Sequence, residues 1–331
     1  MLSRLYNDPN LFTIVIPTKN RPTFLARSFD FLESQGFTGQ VLIADGSDDT
    51  SGNENQRITK GSRIFRTVYI HSGDLGHTLK ESYEGLKEIK SKYILYCHDD
   101  DFYFLDEIDR CVGFLEHNED YVSAKGCFIW LSRFPNKKNK LSSKKMFSYS
   151  DPIGESRLMS MFRRYCHLHF AVMRRDAFLY VAKQVPKYLG LGWFDQFAHT
   201  LIVGVLGKSH TFEGLYCIRQ DHQGQHHRHM IKTSPYSHFP MILASPDFSK
   251  IYQDFRRCLI ASCRNFVSVD DEELGEILDQ GLLLLIKRGF GATIPPEKWD
   301  LEVMKRLQET DSAEQRKIHQ VFPYLTPIFS D

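Results

Sequence analysis

The chain has 331 residues, enough for one large domain or for a domain with a smaller appendage. Hydrophobic residues make up 42% and charged residues 25%, ordinary globular values that support a sizeable core. A net charge of +1 argues against a protein built to coat nucleic acid, so no nucleic-acid partner is expected.

The first hundred residues alternate strand and helix. Leu11 to Ile16 is a continuous apolar, β-branched run, which suits a strand buried on both faces. Pro17 ends it, and Pro22 is placed to open a helix with Leu25, Phe29 and Leu32 on one face and a stop at Gly36. Val41 to Ala44 predicts a second buried strand, followed by the polar turn Asp45–Asp49. Thr67 to Ile70 predicts a third strand, and Thr78 with Glu81 a capping box that opens the next helix. Tyr93 to Cys97 predicts a fourth strand, running into Asp99-Asp100-Asp101. A helix then carries Leu105, Ile108, Val112 and Leu115 on one face.

Strands alternating with helices imply a parallel sheet, and ligands of such sheets bind beyond the carboxyl ends of the strands. The loops there are Pro17–Arg21, Asp45–Asp49, His71–His77 and His98–Asp101, so the conspicuous polar clusters converge on one rim. Three adjacent carboxylates repel one another, and a bound divalent cation is the usual way to hold them together. The competing reading is a solvated acidic turn that caps the following helix.

The pattern changes from Gly126. Phe134 to Lys145 holds five lysines and reads as an exposed loop, with contact to anionic lipid or an acidic acceptor as the alternative. Phe170–Met173 is apolar, and a helix is expected near Asp195 to Val203. The tail looks helical: Ser245-Pro246 opens one helix with Phe248, Ile251, Phe255 and Leu259 inward. Asp270 and Glu273 open another through Leu274, Ile277, Leu278 and Leu282. Seven cysteines scattered without a CxxC pair suit reduced thiols. MLSRLYNDPN has no apolar signal region, and the longest aliphatic run, Leu282–Ile286, is too short to span a bilayer. The expectation is a cytoplasmic protein without a transmembrane segment, at most peripheral on a membrane.

Four segments, LFTIVIPTKNR (11–21), VLIADGSDD (41–49), GHTLKESYEGL (76–86) and YILYCHDDDF (93–102), together resemble the successive signatures of family 2 glycosyltransferases. The resemblance covers roughly the first 120 residues and extends more faintly to about residue 230. It implies the GT-A fold, an α/β architecture with a mainly parallel, Rossmann-like sheet flanked by helices. Residues 1–240 would form this domain, with a nucleotide-sugar half to about 125 and an acceptor half beyond it. Residues 241–331 would form a helical C-terminal extension. It further implies a nucleotide-sugar donor, a divalent metal (Mn²⁺ or Mg²⁺), inverting transfer and a glycan or lipid-linked acceptor in polysaccharide assembly.

Carried over by position, Pro17 and Thr18 would lie against the base and ribose, and Asn20 and Arg21 would share that donor loop. Asp45 would bond the base, Lys80 would lie near the diphosphate, and Asp99 would meet the ribose. Asp100 would hold the metal with Asp101 as an auxiliary ligand. The sequence departs from the family at His98, where an aspartate usually opens the metal motif, and at Ala44, where the second strand usually ends in a pair of acids. Asp195, in Gly192-Trp193-Phe194-Asp195-Gln196, would be the general base, with Trp193 beside it and a helix N-cap as its alternative role. Among the histidines after Asp221, His222 is the favoured extra metal ligand over His226 and His227. A sugar nucleotidyltransferase is the rival reading, disfavoured by a first loop without glycine. The other rival is a non-catalytic sugar-nucleotide or glycan-binding module.

Overall fold

The computed structural model describes residues 4–72, 85–133, 140–143, 146–188, 194–222 and 246–291. The first parallel unit follows the sequence pattern. Strand β1 (Phe12–Thr18) leads into helix α1 (Pro22–Ser34), which has proline in its first turn and buries Leu25, Phe29 and Leu32. Gly36, at φ 74°, ends that helix in the left-handed conformation that glycine adopts without strain. Strand β2 is Gln40–Asp45 and β3 is Arg66–His71. Between them lies a helix the sequence reading did not anticipate, α2 (Asp49–Gly61), N-capped by the Asp48 carboxylate, which accepts from the Ser51 amide at 2.8 Å. Its sequence is almost wholly polar, so it carries little apolar periodicity.

Strand β4 (Tyr93–Tyr96), the short β5 (Phe102–Tyr103) and helix α3 (Leu105–His117) follow; all four apolar positions expected on α3 are buried. The second half contributes β6 (Tyr121–Arg133), β7 (Lys140–Ser143), helix α4 (Gly154–Arg163), β8 (Val172–Arg174), α5 (Arg175–Gln184), α6 (Phe194–Leu206) and β9 (Lys208–His222). The expected lysine-rich loop is corrected at residues 140–143. These form a strand antiparallel to β6, where the ladder satisfies their backbone groups. Gly126, where the sequence pattern changes, lies inside β6. A Cβ there would meet the Gly214 carbonyl oxygen and Tyr216 Cβ at 2.5 and 2.6 Å, so glycine lets β6 and β9 approach at a bulge.

Among the described residues the strands form one nine-stranded sheet, in the order β3-β2-β1-β4-β8-β6-β9-β5 with β7 paired to β6. The first four are mutually parallel, and β8 joins β4 antiparallel. Pairing in register brings Thr18 beside Asp45 and Asp45 beside His71 at the carboxyl ends of β1, β2 and β3. Two helices close the described chain: α7 (Phe248–Cys263) and α8 (Asp271–Gly291), the latter capped by Asp270 Oδ1, which accepts from the Glu272 and Glu273 amides at 2.9 Å each. They share one apolar core with α4 and α6: Phe255 stacks on Phe194, with ring centroids 4.4 Å apart. Residues 73–84, which hold most of the expected helix after Thr78, are outside the described residues.

Candidate functional site

The three aspartates are buried, with exposures of 2%, 5% and 3% for Asp99, Asp100 and Asp101, which excludes the solvated-turn reading. Buried carboxylates need partners. Arg21, from the β1–α1 loop, straddles the first two, with one guanidinium nitrogen 3.0 Å from Asp99 Oδ1 and another 2.7 Å from Asp100 Oδ2. Thr18 Oγ1 donates to Asp99 Oδ2 at 2.8 Å. His222 Nε2, at the end of β9, lies 3.2 Å from Asp100 Oδ2, and its ring stacks on Phe24. Asp101 accepts from Arg219 Nε at 3.0 Å and from the Gln220 amide at 3.1 Å.

The cluster's charge is divided unevenly. Burial pushes the Asp99 carboxyl up to about 6, against the pull of Arg21, and pushes Asp101 up to about 6 against Arg219. Asp100 is buried too, but Arg21 above all, together with the hydrogen bond to His222, outweighs that penalty and holds it well below the usual carboxylate range. Asp100 is therefore the most firmly ionised of the three. His98, in contact with the rings of Phe170 and Tyr96, is lowered by burial to about 4 and is neutral near pH 7.

One ligand atom each from His98, Asp100 and Asp101 lies within 4.8 Å of the others. Two carboxylates and a neutral imidazole form a donor set that a divalent ion such as Mn²⁺ accepts, so these residues fit a metal. His98 belongs to this group, whereas His222, the expected extra ligand, contacts Asp100 through Nε2.

Asp45 is fully buried at the β2 end. Its carboxylate accepts from the Ser47 amide (2.8 Å), Asn55 Nδ2 (2.8 Å) and Tyr69 OH (2.6 Å). Asn20 adopts φ 55°, accepts from the Asp48 amide at 2.9 Å and donates its own amide to Ser47 Oγ at 2.7 Å. It thereby ties the first loop to the second. Pro17, at the end of β1, is the register partner of Ala44. Position 195 is the second residue of α6, but its side chain is outside the described residues, as are Lys80, Trp193, His226 and His227.

A family model for glycosyl transferase family 2 matches residues 13–180, just over half the chain. The chain belongs to that family. An uncharacterized glycosyltransferase of Rickettsia felis is 28% identical over 116 residues, which are 34% of this chain but only 19% of that relative's length. Among solved structures, residues 1–349 of S. aureus TarS give a TM-score of 0.50 at 13% identity, covering 87% of this chain and 76% of that one. A mannosyltransferase, PcManGT from Pyrobaculum calidifontis, solved with GDP-Man and Mn²⁺, gives 0.44 at 13% identity, covering 96% and 86%. With the mixed sheet and its flanking helices, the family match and the TarS likeness identify the fold as GT-A.

The sequence reading missed several partners of these aspartates. Arg27 on α1 is buried and reaches toward the Asp100 carbonyl oxygen at 3.4 Å; burial lowers its guanidinium to about 10, leaving it charged near neutrality. Ser28 Oγ donates to the Asp99 carbonyl at 2.6 Å, and Gln220 Nε2 donates to the Asp100 carbonyl. A signal for Arg27 and Ser28 was present, since both fall on the buried face of α1 between Phe24 and Phe31. Arg219 and Gln220 gave none, because only the tertiary pairing of β9 with β5 brings them to the aspartates.

Proposed function

We propose that the chain is a metal-dependent, inverting glycosyltransferase that moves a sugar from a nucleotide-sugar donor to a glycan or lipid-linked acceptor. The observation that carries this reading is the buried triplet Asp99–Asp101, gathered with His98 at the carboxyl end of a central parallel strand. A divalent ion held by His98, Asp100 and Asp101 would set positive charge against the diphosphate leaving group. Arg21, shared between Asp99 and Asp100, would exchange a carboxylate for a phosphate oxygen once a cation takes up that charge. Thr18 and Asp45, adjacent in register, would face the nucleoside.

Asp195 would accept the proton of the acceptor hydroxyl as its oxygen attacks the anomeric carbon and the bond to the diphosphate breaks. Single displacement of this kind inverts the anomeric configuration. No helix of the described residues is long and apolar enough to cross a membrane. A cytoplasmic setting with peripheral contact at the membrane face belongs to the same proposal.

The test is a panel of nucleotide sugars with Mn²⁺ or Mg²⁺, read first as thermal stabilisation and then as turnover. At least one donor should raise the melting temperature in a metal-dependent way, and EDTA should abolish transfer. Full turnover in EDTA would overturn the metal assignment.

A further inference from the structure

Beyond the aspartates lies a group of histidines that the proposed chemistry leaves unused. Strand β8 runs antiparallel to β4 with Val172 opposite Leu95, so the residues just before β8 sit past the carboxyl end of β4, beside His98–Asp101. His169 is there, its ring 6.4 Å from that of His98 between centroids and tilted against Phe170 at 3.6 Å. His199 faces it from α6, ring to ring at 5.4 Å, one helical turn beyond position 195.

Both side chains are nearly sealed, at 8% and 6% exposure. The Nδ1 of His169 and the Nε2 of His199 are buried without a hydrogen-bond partner. Burial keeps both rings neutral: His199 falls to about 3, and His169 lies well below the usual imidazole range.

Leaving a buried polar atom unpaired costs about 1–3 kcal/mol, and here two rings carry that cost side by side. We infer that His169 and His199 form a subsite that receives hydroxyl groups of the sugar being transferred. A neutral imidazole presents one donor and one acceptor nitrogen, and a hydroxyl can answer either. An anion is the poorer match, since neither ring is charged and Arg21, Arg27 and Arg219 are occupied with the aspartates. A second cation is also a poorer match, since among the described residues the group of three ligand atoms that close on one another is that of His98, Asp100 and Asp101. The subsite would lie between the cation that holds the diphosphate and the helix that carries Asp195, where the anomeric sugar must sit. This assignment rests on the glycosyl-transfer reading.

The test uses the full chain, with His169→Leu, His199→Leu and His199→Gln. Calorimetry with Mn²⁺ compares UDP and GDP alone with UDP- and GDP-hexoses, and melting is followed without ligand. Each leucine variant should bind the free diphosphate within about twofold of the parent and lose about tenfold in affinity for the nucleotide sugar, the equivalent of one hydrogen bond. Their melting temperatures should hold or rise, because an unpaired polar group has been replaced by an apolar one. His199→Gln should keep most of the sugar affinity.

Unchanged sugar affinity in the leucine variants would overturn the inference, and so would an equal loss for the free diphosphate. A lowered melting temperature in both would show the rings to be structural and would overturn it too. A parent protein that binds no nucleotide sugar would overturn the glycosyl-transfer reading as well, a result visible before any variant is made.

Discussion

Asp100 stands apart from its neighbours at the residue scale, because it is the carboxylate that its surroundings keep ionised. Asp100→Asn keeps the shape but removes the charge that Arg21 and a cation would share. Mn²⁺ binding, measured by electron paramagnetic resonance, should weaken at least ~100-fold, the upper end of what losing a mere supporting residue costs; affinity within tenfold of the parent would remove Asp100 from the ligand set. That the triplet would not be a plain solvated turn was legible in the sequence, because three adjacent acids behind an apolar strand demand explanation. What neutralises them was not, since Arg219 lies 118 residues from Asp101. His199 allows a second prediction at this scale. Its folded value of about 3 lies below the ordinary imidazole value of about 6.5. As pH falls below about 6.5 the unfolded chain gains a proton that the folded chain refuses, so His199 costs stability progressively down to about pH 3. His199→Leu removes that term, and its stability advantage over the parent should grow between pH 7 and pH 5 by up to about 2 kcal/mol. A difference that stays flat with pH in urea denaturation would show that His199 is not held neutral.

The rim proposed to bind the donor is held together at the scale of elements by a clasp between the β1–α1 and β2–α2 loops. Asn20 provides it with a left-handed backbone and one side-chain oxygen. Asn20→Gly keeps the backbone and loses only the bond, so it should cost about 1 kcal/mol. Asn20→Ala loses the same bond and adds about 1–2 kcal/mol of left-handed strain. Chemical denaturation should rank parent, glycine, alanine, and both variants should bind a nucleoside diphosphate more weakly because Asp45 and Thr18 share the clasped loops. Equal stability of glycine and alanine would show that the backbone at position 20 relaxes freely. Elements whose stability comes from an apolar face, such as α1 and α3, were readable from spacing alone. Helix α2 and strand β7 were not: a polar capped helix and a lysine-bearing strand owe their existence to Asp48 and to the β6 ladder, which apolar spacing does not record.

Across the whole molecule, the C-terminal helices share the core of the helix that carries Asp195 and His199. The amphipathic pattern of α7 announced that Ile251, Phe255 and Leu259 would be buried, but an apolar face does not name its partner. The structure does: Phe255 stacks on Phe194 at 4.4 Å and on Phe197 at 6.1 Å, both in α6. On the proposed function this makes the C-terminal helices a support for the site, and it gives a prediction that separates support from bulk stability. Phe255→Ala should cost about 3–5 kcal/mol, and Leu282→Ala, on α8 against α4, about 2–5 kcal/mol. Turnover is then compared well below both melting temperatures, where each variant is folded. Phe255→Ala unseats the first turn of α6, and small displacements of a reacting group are costly, so it should lose roughly ten- to a hundredfold in turnover. Leu282→Ala should stay near the parent, because α8 packs chiefly on α4 rather than on α6. Binding of the free nucleoside diphosphate, which on the proposed function depends on the β1–β4 rim, should be spared in both. If the two variants lose turnover equally at matched stability, the extension serves the fold alone and the seating of α6 does not depend on Phe255.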